Sequence, residues 1–207
     1  MALFDEAGRV RIAEAVAAVE RETAGEIVVV SVPSAEPYSD LRAFGASAAA
    51  LASAVVVHTL LPALAVTWLL WVELLAFAGA WFLFAWAPLL RAALPEARAQ
   101  RSVERRAREE LLEQRVLETD AHTGVLILLC ELEHRVVILG DRGVHARVQT
   151  DGWKHHVTSI VAAIRAKRAA DGVCKVIAEL GAVLARDLPR SAGDVNELPD
   201  APREPVR

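Results

Sequence analysis

The sequence lacks the signatures of several common classes of protein. Its two cysteines, Cys130 and Cys174, have the spacing of neither a metal-binding motif nor a disulfide framework, so we expect two reduced thiols. A net charge of −4 does not suggest a nucleic-acid-binding protein. The chain contains no Walker loop, nucleophile elbow or dinucleotide-binding fingerprint. The stretch 1–22 is charged throughout and lacks an apolar segment, so we expect no cleaved signal peptide.

Charge is almost missing from one long segment, in which Glu73 is the single charged residue between Gly45 and Leu90. The segment contains two apolar runs, 43–61 and 67–90, which are separated near Pro62. A helix rises about 1.5 Å per residue and a bilayer core is about 30 Å thick, so each run is long enough to cross it. The sequence therefore predicts a transmembrane hairpin over residues 43–90.

Arginines are distributed unevenly around this predicted hairpin. The connecting stretch "LPALAVT" contains no Lys or Arg, and Arg42 precedes the first run. Six arginines follow the second run: Arg91, Arg98, Arg101, Arg105, Arg106 and Arg108. Cytoplasmic flanks of membrane spans are enriched in Lys and Arg. We therefore expect both termini to be cytoplasmic in a bacterial inner membrane, with the six arginines near anionic lipid headgroups.

Two polar residues interrupt the predicted spans. His58 lies near the end of the first span and Glu73 about two turns into the second, so both are expected on the outer side. Pairing with each other or with headgroups is one interpretation, and a transport or sensing role is the alternative. Gly45, Ala49 and Ser53 are small residues four apart, a pattern that lets membrane helices approach closely. Their partner is either the second span or a second copy of the chain, which would form a homo-oligomer.

The remaining sequence predicts a soluble α/β domain in two pieces. Helical periodicity, apolar β-branched runs and turn residues define the predicted elements. The predicted helices are 4–23, 95–117, 151–168 and 173–186, with Gly172 separating the last two, and the predicted strands are 26–32, 124–131 and 134–139.

The first predicted strand explains why the chain has to return from the membrane. Residues 26–32 are apolar on both faces, so this strand needs neighbouring strands and covering helices. Those neighbours come after the hairpin. We therefore expect one domain made from 1–42 and 91–187, with the hairpin 43–90 inserted between the pieces. The tail 188–207 is rich in Pro and charge, and we expect it to lack fixed structure of its own.

Three stretches form a pattern of apolar strands and turn glycines: "TAGEIVVVSV", "TGVLILLCELEHRVVILGDRGV" and the terminal "NELPD". Over about 3–40 and 95–200, this pattern resembles the TPM-domain family, which includes the thylakoid-lumen photosystem repair proteins. The two internal spans resemble a proteobacterial membrane branch of that family. The resemblance implies an α/β/α sandwich. Some family members are acid phosphatases and some bind calcium, and most keep the domain outside the cytoplasm, whereas the charge pattern here puts it inside.

A divalent cation site is the main chemical hypothesis that the sequence offers. Asp120, His122, Asp141 and Asp151 are candidates to gather at one edge of the sheet, and Asp141 and Asp151 match the segment that the resemblance makes acidic. Carboxylate oxygens are the ligands that Ca²⁺ and Mg²⁺ prefer. The alternative is that "GDRG" is an ordinary strand-ending turn. Nearby arginines oppose a cation: Arg135, Arg142 and Arg147. His155 and His156 are interpreted as solvated surface residues.

Two functions remain on the sequence alone. One is a membrane-anchored binding or scaffold module that meets a protein partner at the cytoplasmic face and requires no cofactor. The other is a phosphatase-like hydrolase that depends on a divalent metal. The lack of a recognisable nucleophile or dense acidic cluster favours the first.

Overall fold

The computed structural model describes residues 3–119, 122–147, 153–190 and 197–204. The chain divides into two compact units. Residues 1–35 and 100–207 form the first, called here the α/β unit, and residues 36–99 form the second, called the helical unit. The α/β unit is therefore assembled from two separate parts of the sequence.

The eight α-helices of the described chain are α1 Glu6–Glu20, α2 Ser39–Leu60, α3 Val66–Leu83, α4 Ala87–Ala93, α5 Glu96–Glu113, α6 Arg142–Arg147, α7 Lys154–Arg165 and α8 Ala169–Asp187. A short 3₁₀ turn, Val116–Glu118, follows α5. The three strands are β1 Glu26–Val32, β2 Gly124–Cys130 and β3 Arg135–Gly140. The mixed α/β class is confirmed, and the predicted strands are correct to within one residue at each end.

The strands form one sheet in the order β1-β2-β3. β1 runs parallel to β2, with Glu26 opposite Gly124, and β2 runs antiparallel to β3, with Val125 opposite Gly140. The parallel pair requires a long crossover, which is where the helical unit lies in the sequence. The antiparallel pair needs only the turn 131–134.

Helices cover both faces of this sheet, because the side chains of β1 and β2 alternate between two hydrophobic clusters. On one face Ile27 and Ile127 pack with residues of α1, α7 and α8. On the other face Val28 and Leu128 pack with Val103 of α5. Every residue of β1 and β2 is buried, as expected for strands that are apolar on both faces.

The boundaries of several helices differ from the predicted ones for backbone reasons. The predicted helix 95–117 ends at Glu113, since Arg115 adopts a left-handed conformation with φ 58°. The break between the last two helices lies at Lys167, which also has φ 58°. The prediction that Gly172 separates them is wrong. Gly172 lies inside α8, where an added Cβ would collide with the side chain of Ala163 on α7.

Residues 197–204 of the tail form no helix or strand of their own but lie against β1, a placement that the sequence does not predict. Arg203 forms a parallel bridge with Val30 on the outer edge of β1. The amide of Arg203 donates to the carbonyl of Val29 at 2.9 Å, and the amide of Ser31 donates to the carbonyl of Arg203 at 2.9 Å. An open strand edge presents backbone groups that need partners, and this segment supplies them. Residues 191–196 and 205–207 lie outside the described part of the chain.

In the helical unit, α2 and α3 pack together. An added Cβ on Gly45 of α2 would lie 2.6 Å from the ring of Phe84, so a small residue permits this approach. α2 and α3 are long and apolar enough to cross a membrane by length and composition, and 6% of the most apolar 18-residue window of each is buried. The apolar stretch predicted as one span, 67–90, is divided between α3 and α4, with Pro88 in the first turn of α4.

Candidate functional site

Of the three aspartates predicted to bind a cation, the structure describes Asp141. Asp141 directly follows β3, and its amide donates to the carbonyl of Gly124 at the start of β2 at 2.8 Å. The strand-end position expected for Asp141 is therefore correct. Asp120 and Asp151 lie outside the described residues.

The carboxylate of Asp141 already has two partners. One oxygen lies 3.1 Å from Nδ1 of His122, and the other accepts the backbone N–H of Arg142 at 2.5 Å. The guanidinium of Arg142 also contacts the ring of His122. Asp141 itself is 7% exposed. These contacts are those of a capped turn at the start of α6, so a hard cation here would have to compete with a hydrogen-bond network and a positive charge.

A second polar cluster joins α7 and α8, and the sequence interpretation of its histidines was half wrong. His155 is exposed as expected, but His156 is 5% exposed. Nδ1 of His156 lies 3.0 Å from a carboxylate oxygen of Glu179. Burial lowers the pKa of His156, and the hydrogen bond to Glu179 partly opposes that shift.

The histidine cluster is the group in the described chain whose donors converge in the way that a metal ion needs. One donor atom each from His155, His156 and Glu179 lies within 4.8 Å of the other two. The two imidazole rings lie side by side, with centroids 3.6 Å apart and planes tilted by 45°. The sequence did not reveal the cluster because Glu179 is 23 residues beyond His156. The helical pairing of α7 with α8 brings them together.

Most of the six arginines predicted at the membrane surface lie beside carboxylates. Arg98 donates to both oxygens of Asp40, at 2.6 and 2.9 Å, and to Glu36 at 2.9 Å. Hydrogen bonding to Asp40, and secondarily to Glu36, raises the pKa of Arg98 despite its partial burial. Three more form ion pairs along α5: Arg105 with Glu109, Arg106 with Glu110, and Arg108 with Glu104. Arg91 and Arg101 are exposed.

The polar residues of the predicted spans are both in the helical unit. His58 is exposed in the last turn of α2. Glu73 lies on α3 and accepts a hydrogen bond from the hydroxyl of Ser53 on α2 at 3.0 Å. The carboxyl group thus has a polar partner on the neighbouring helix, one turn or more away from His58 along α2.

Comparison with known proteins gives a fold and no function. No family model matches the chain, and no curated protein matches it. The structure is similar to the NMR structure of the BA42 protein from the psychrophilic bacterium Bizionia argentinensis, with a TM-score of 0.61 and 18% sequence identity. The match covers 98% of this chain and 95% of that one. At this identity the likeness concerns the fold alone.

Proposed function

We propose that this protein is a membrane-anchored binding or scaffold module, with α2 and α3 as the anchor. The observation that carries the proposal is that the apolar side chains of these two helices are exposed rather than buried in the protein. Only 6% of the most apolar window of each is buried, and side chains such as Leu75 and Phe82 are 69% and 76% exposed. A helix that is apolar all round requires an apolar environment.

Two ordinary explanations of an apolar helix fit poorly. A core helix of a soluble protein would have most of its apolar surface buried inside the fold, which is not so here. A secretory signal lies at the N-terminus, whereas α2 begins at Ser39. Leaving apolar area in water costs about 25 cal/mol per Å², so two such helices favour a lipid environment.

We place both termini in the cytoplasm of a bacterium, with the anchor in the inner membrane. The asymmetry of positive charge supports this orientation, since Arg91 and the five arginines up to Arg108 follow α3 while the loop 61–65 has none. Ion pairing within α5 reduces the net charge of that segment. Arg91 and Arg101 are both exposed and can meet anionic headgroups.

Reporter fusions test the anchor and its orientation. A cytoplasm-active fluorescent reporter fused after Arg207 should be bright, and a periplasm-active phosphatase inserted at Ala65 should be active. The exchanged pair, with each reporter at the other site, should be silent. A periplasmic C-terminus would reverse the proposed topology, and recovery of the chain in the soluble fraction would remove the membrane proposal altogether.

For the α/β unit we favour binding over catalysis, within the TPM-like α/β/α arrangement that the sequence resembles. The contacts of Asp141 support this preference. Its two oxygens accept from His122 and from the amide of Arg142, so a catalytic cation would share this carboxylate with two hydrogen bonds. Hydrolysis of a phosphate ester needs a positioned nucleophile or a metal-activated water. The proposed partner is another protein at the cytoplasmic face.

A metal-dependent phosphatase-like hydrolase is the second candidate. It is favoured by the position of Asp141 at a sheet edge next to His122 and by the family resemblance. A phosphatase assay of the full chain in detergent with Mg²⁺ or Ca²⁺ tests it, beside Asp141→Asn and Asp151→Asn. Turnover above about 1 s⁻¹ that disappears in either variant would establish the hydrolase and remove the scaffold proposal.

A further inference from the structure

We propose that His155, His156 and Glu179 form a binding site for a borderline-soft divalent ion of the Zn²⁺ class, separate from the strand-end aspartates. Two imidazoles and one carboxylate are a ligand set typical of Zn²⁺, with the fourth position open to water. Ca²⁺ takes six to eight oxygen ligands and Mg²⁺ favours oxygen as well, so neither suits this cluster. The inference does not depend on the membrane anchor.

The spacing of the donors is close to that of a tetrahedral centre. Bond lengths of about 2.0–2.1 Å to nitrogen and oxygen place the ligand atoms of such a centre about 3.3 Å apart. Nδ1 of His156 and Oε2 of Glu179 are 3.0 Å apart, and the whole set of donors lies within 4.8 Å. The donors therefore have to approach one another by at most about 1.5 Å to reach that spacing. His155 is the exposed member of the set, so most of this adjustment is assigned to its side chain.

The helices that present the ligands are held in one register. Gly172 of α8 lies against Ala163 of α7 so closely that no side chain fits between them. His156 is seven residues before Ala163, and Glu179 is seven residues after Gly172, which places them two turns further along the same antiparallel pair. Ile160 and Ile177 are fully buried within this pairing. All three ligands thus lie on packed helices rather than on loops.

The two oxygens of the Glu179 carboxylate have different neighbours. Lys175 lies 3.7 Å from Oε1 of Glu179, one helical turn away, and is 65% exposed. Oε2, which faces His156, remains for the metal. An ion bound between Nδ1 of His156 and Oε2 of Glu179 releases the proton of their hydrogen bond to solvent, and it turns an interhelical hydrogen bond into a bridge with three ligands. An interhelical hydrogen bond without metal affinity is the competing account.

Metal titration of the full chain decides between a metal-binding site and an interhelical hydrogen bond without metal affinity. The protein is purified in detergent without a histidine tag, stripped with chelator and titrated with Zn²⁺ by calorimetry and with Co²⁺ by visible absorption. We expect one Zn²⁺ per chain and the intense Co²⁺ bands of a tetrahedral site. His155→Ala and Glu179→Gln should each weaken Zn²⁺ binding by ~100-fold, the upper end of what even an outer-shell change costs.

Matched controls keep the result specific. His145→Ala removes another exposed histidine and should leave Zn²⁺ binding unchanged, as should Asp141→Asn. His155 is exposed, so its alanine variant is expected to fold, which circular dichroism checks. The proposal is overturned if His155→Ala binds Zn²⁺ like the parent, if His145→Ala weakens binding equally, or if Ca²⁺ displaces Co²⁺ from the site.

Discussion

Apolar residues have opposite fates in the two units of this protein. In the α/β unit, all residues of β1 and β2 are buried between helices. In the helical unit, α2 and α3 contain longer apolar runs, yet 6% of the most apolar window of each is buried. The contrast shows that hydrophobicity alone does not specify a protein core. What matters is whether the rest of the chain supplies a surface to cover it.

The two units also differ in how polar groups are satisfied. In the α/β unit the tail and the turns complete the backbone hydrogen bonds of a small sheet, as Arg203 does for β1. In the helical unit the helices satisfy their own backbones, which is the condition for a structure in lipid.

The largest expected effect is a change in the solubility of the protein when the helical unit is removed. If α2 and α3 are the proposed anchor, replacing residues 36–95 by a flexible Gly/Ser linker should remove the need for detergent, because the exposed apolar surface is removed while β1 and β2 keep their pairing. Size-exclusion chromatography without detergent and circular dichroism check it. If the shortened chain aggregates or lacks structure while the full chain folds in detergent, the helical unit contributes to the core of the α/β unit.

The sequence was sufficient to predict the sheet because its information there is local and redundant. The β-branched run 26–32 and the paired runs that follow Gly124 have few alternatives to buried strands. The histidine cluster could not be predicted, since it depends on the register of α7 against α8. That register is set by the contact of Gly172 with Ala163, and a glycine in sequence reads equally well as a helix end.

The placement of the tail was missed for a similar reason. Its composition predicts no fixed structure of its own, and nothing local in "APREP" indicates a strand. The partner is the open edge of β1, which exists only after the sheet has formed. Arg203 is held there by two backbone hydrogen bonds and by a side-chain contact with Gln114.

The second prediction compares equivalent truncations in the two units. Leu128→Ala removes a side chain with no exposure and should cost about 2–5 kcal/mol. Leu75→Ala removes one that is 69% exposed and should change stability by less than about 0.5 kcal/mol in detergent. Pulse proteolysis in urea measures both in the full chain. Equal losses would mean that Leu75 is covered by protein and that the proposed lipid-facing surface is wrong.

A third prediction concerns a buried acid in the α/β unit. Glu20 is 5% exposed, and its carboxyl oxygen accepts the amide of Ile27 at 2.8 Å. Burial, opposed by the hydrogen bond from Ile27 and supported by the nearby Glu26 and Asp200, raises the pKa of Glu20 to about 8. The folded chain then retains a proton that the unfolded chain loses above its ordinary pKa.

Stability should therefore decrease as pH rises from about 4.5 to about 8, by at most about 1.4 kcal/mol per pH unit from this residue. Above that window its contribution levels off. Glu20→Gln cannot titrate and should flatten the decrease, whereas Glu118→Gln, at an exposed site, should not. Urea midpoints at pH 5.5, 6.5 and 7.5 measure the slopes. Parallel slopes for the parent and Glu20→Gln would show that Glu20 is ionised in the fold.

The smallest expected effect is in the helical unit, at the polar end of α2. Arg98 lies over the ring of Tyr38 at 5.3 Å and bonds Asp40 and Glu36, but Asp40 is 65% exposed, so solvent weakens the pairing. Arg98→Ala should cost about 1 kcal/mol and increase hydrogen exchange at the Arg42 amide, which bonds the carbonyl of Tyr38, by about fivefold. Arg98→Lys keeps the charge but loses the planar guanidinium that bonds both Asp40 oxygens. Hydrogen exchange at the Arg42 amide should therefore be intermediate in this variant.

The control is Arg101→Ala, at an exposed position, in which the Arg42 amide should exchange as in the parent. If Arg98→Ala and Arg101→Ala behave alike, the polar cluster does not hold the start of α2, and the helical unit is stabilised by apolar contacts and its surroundings alone.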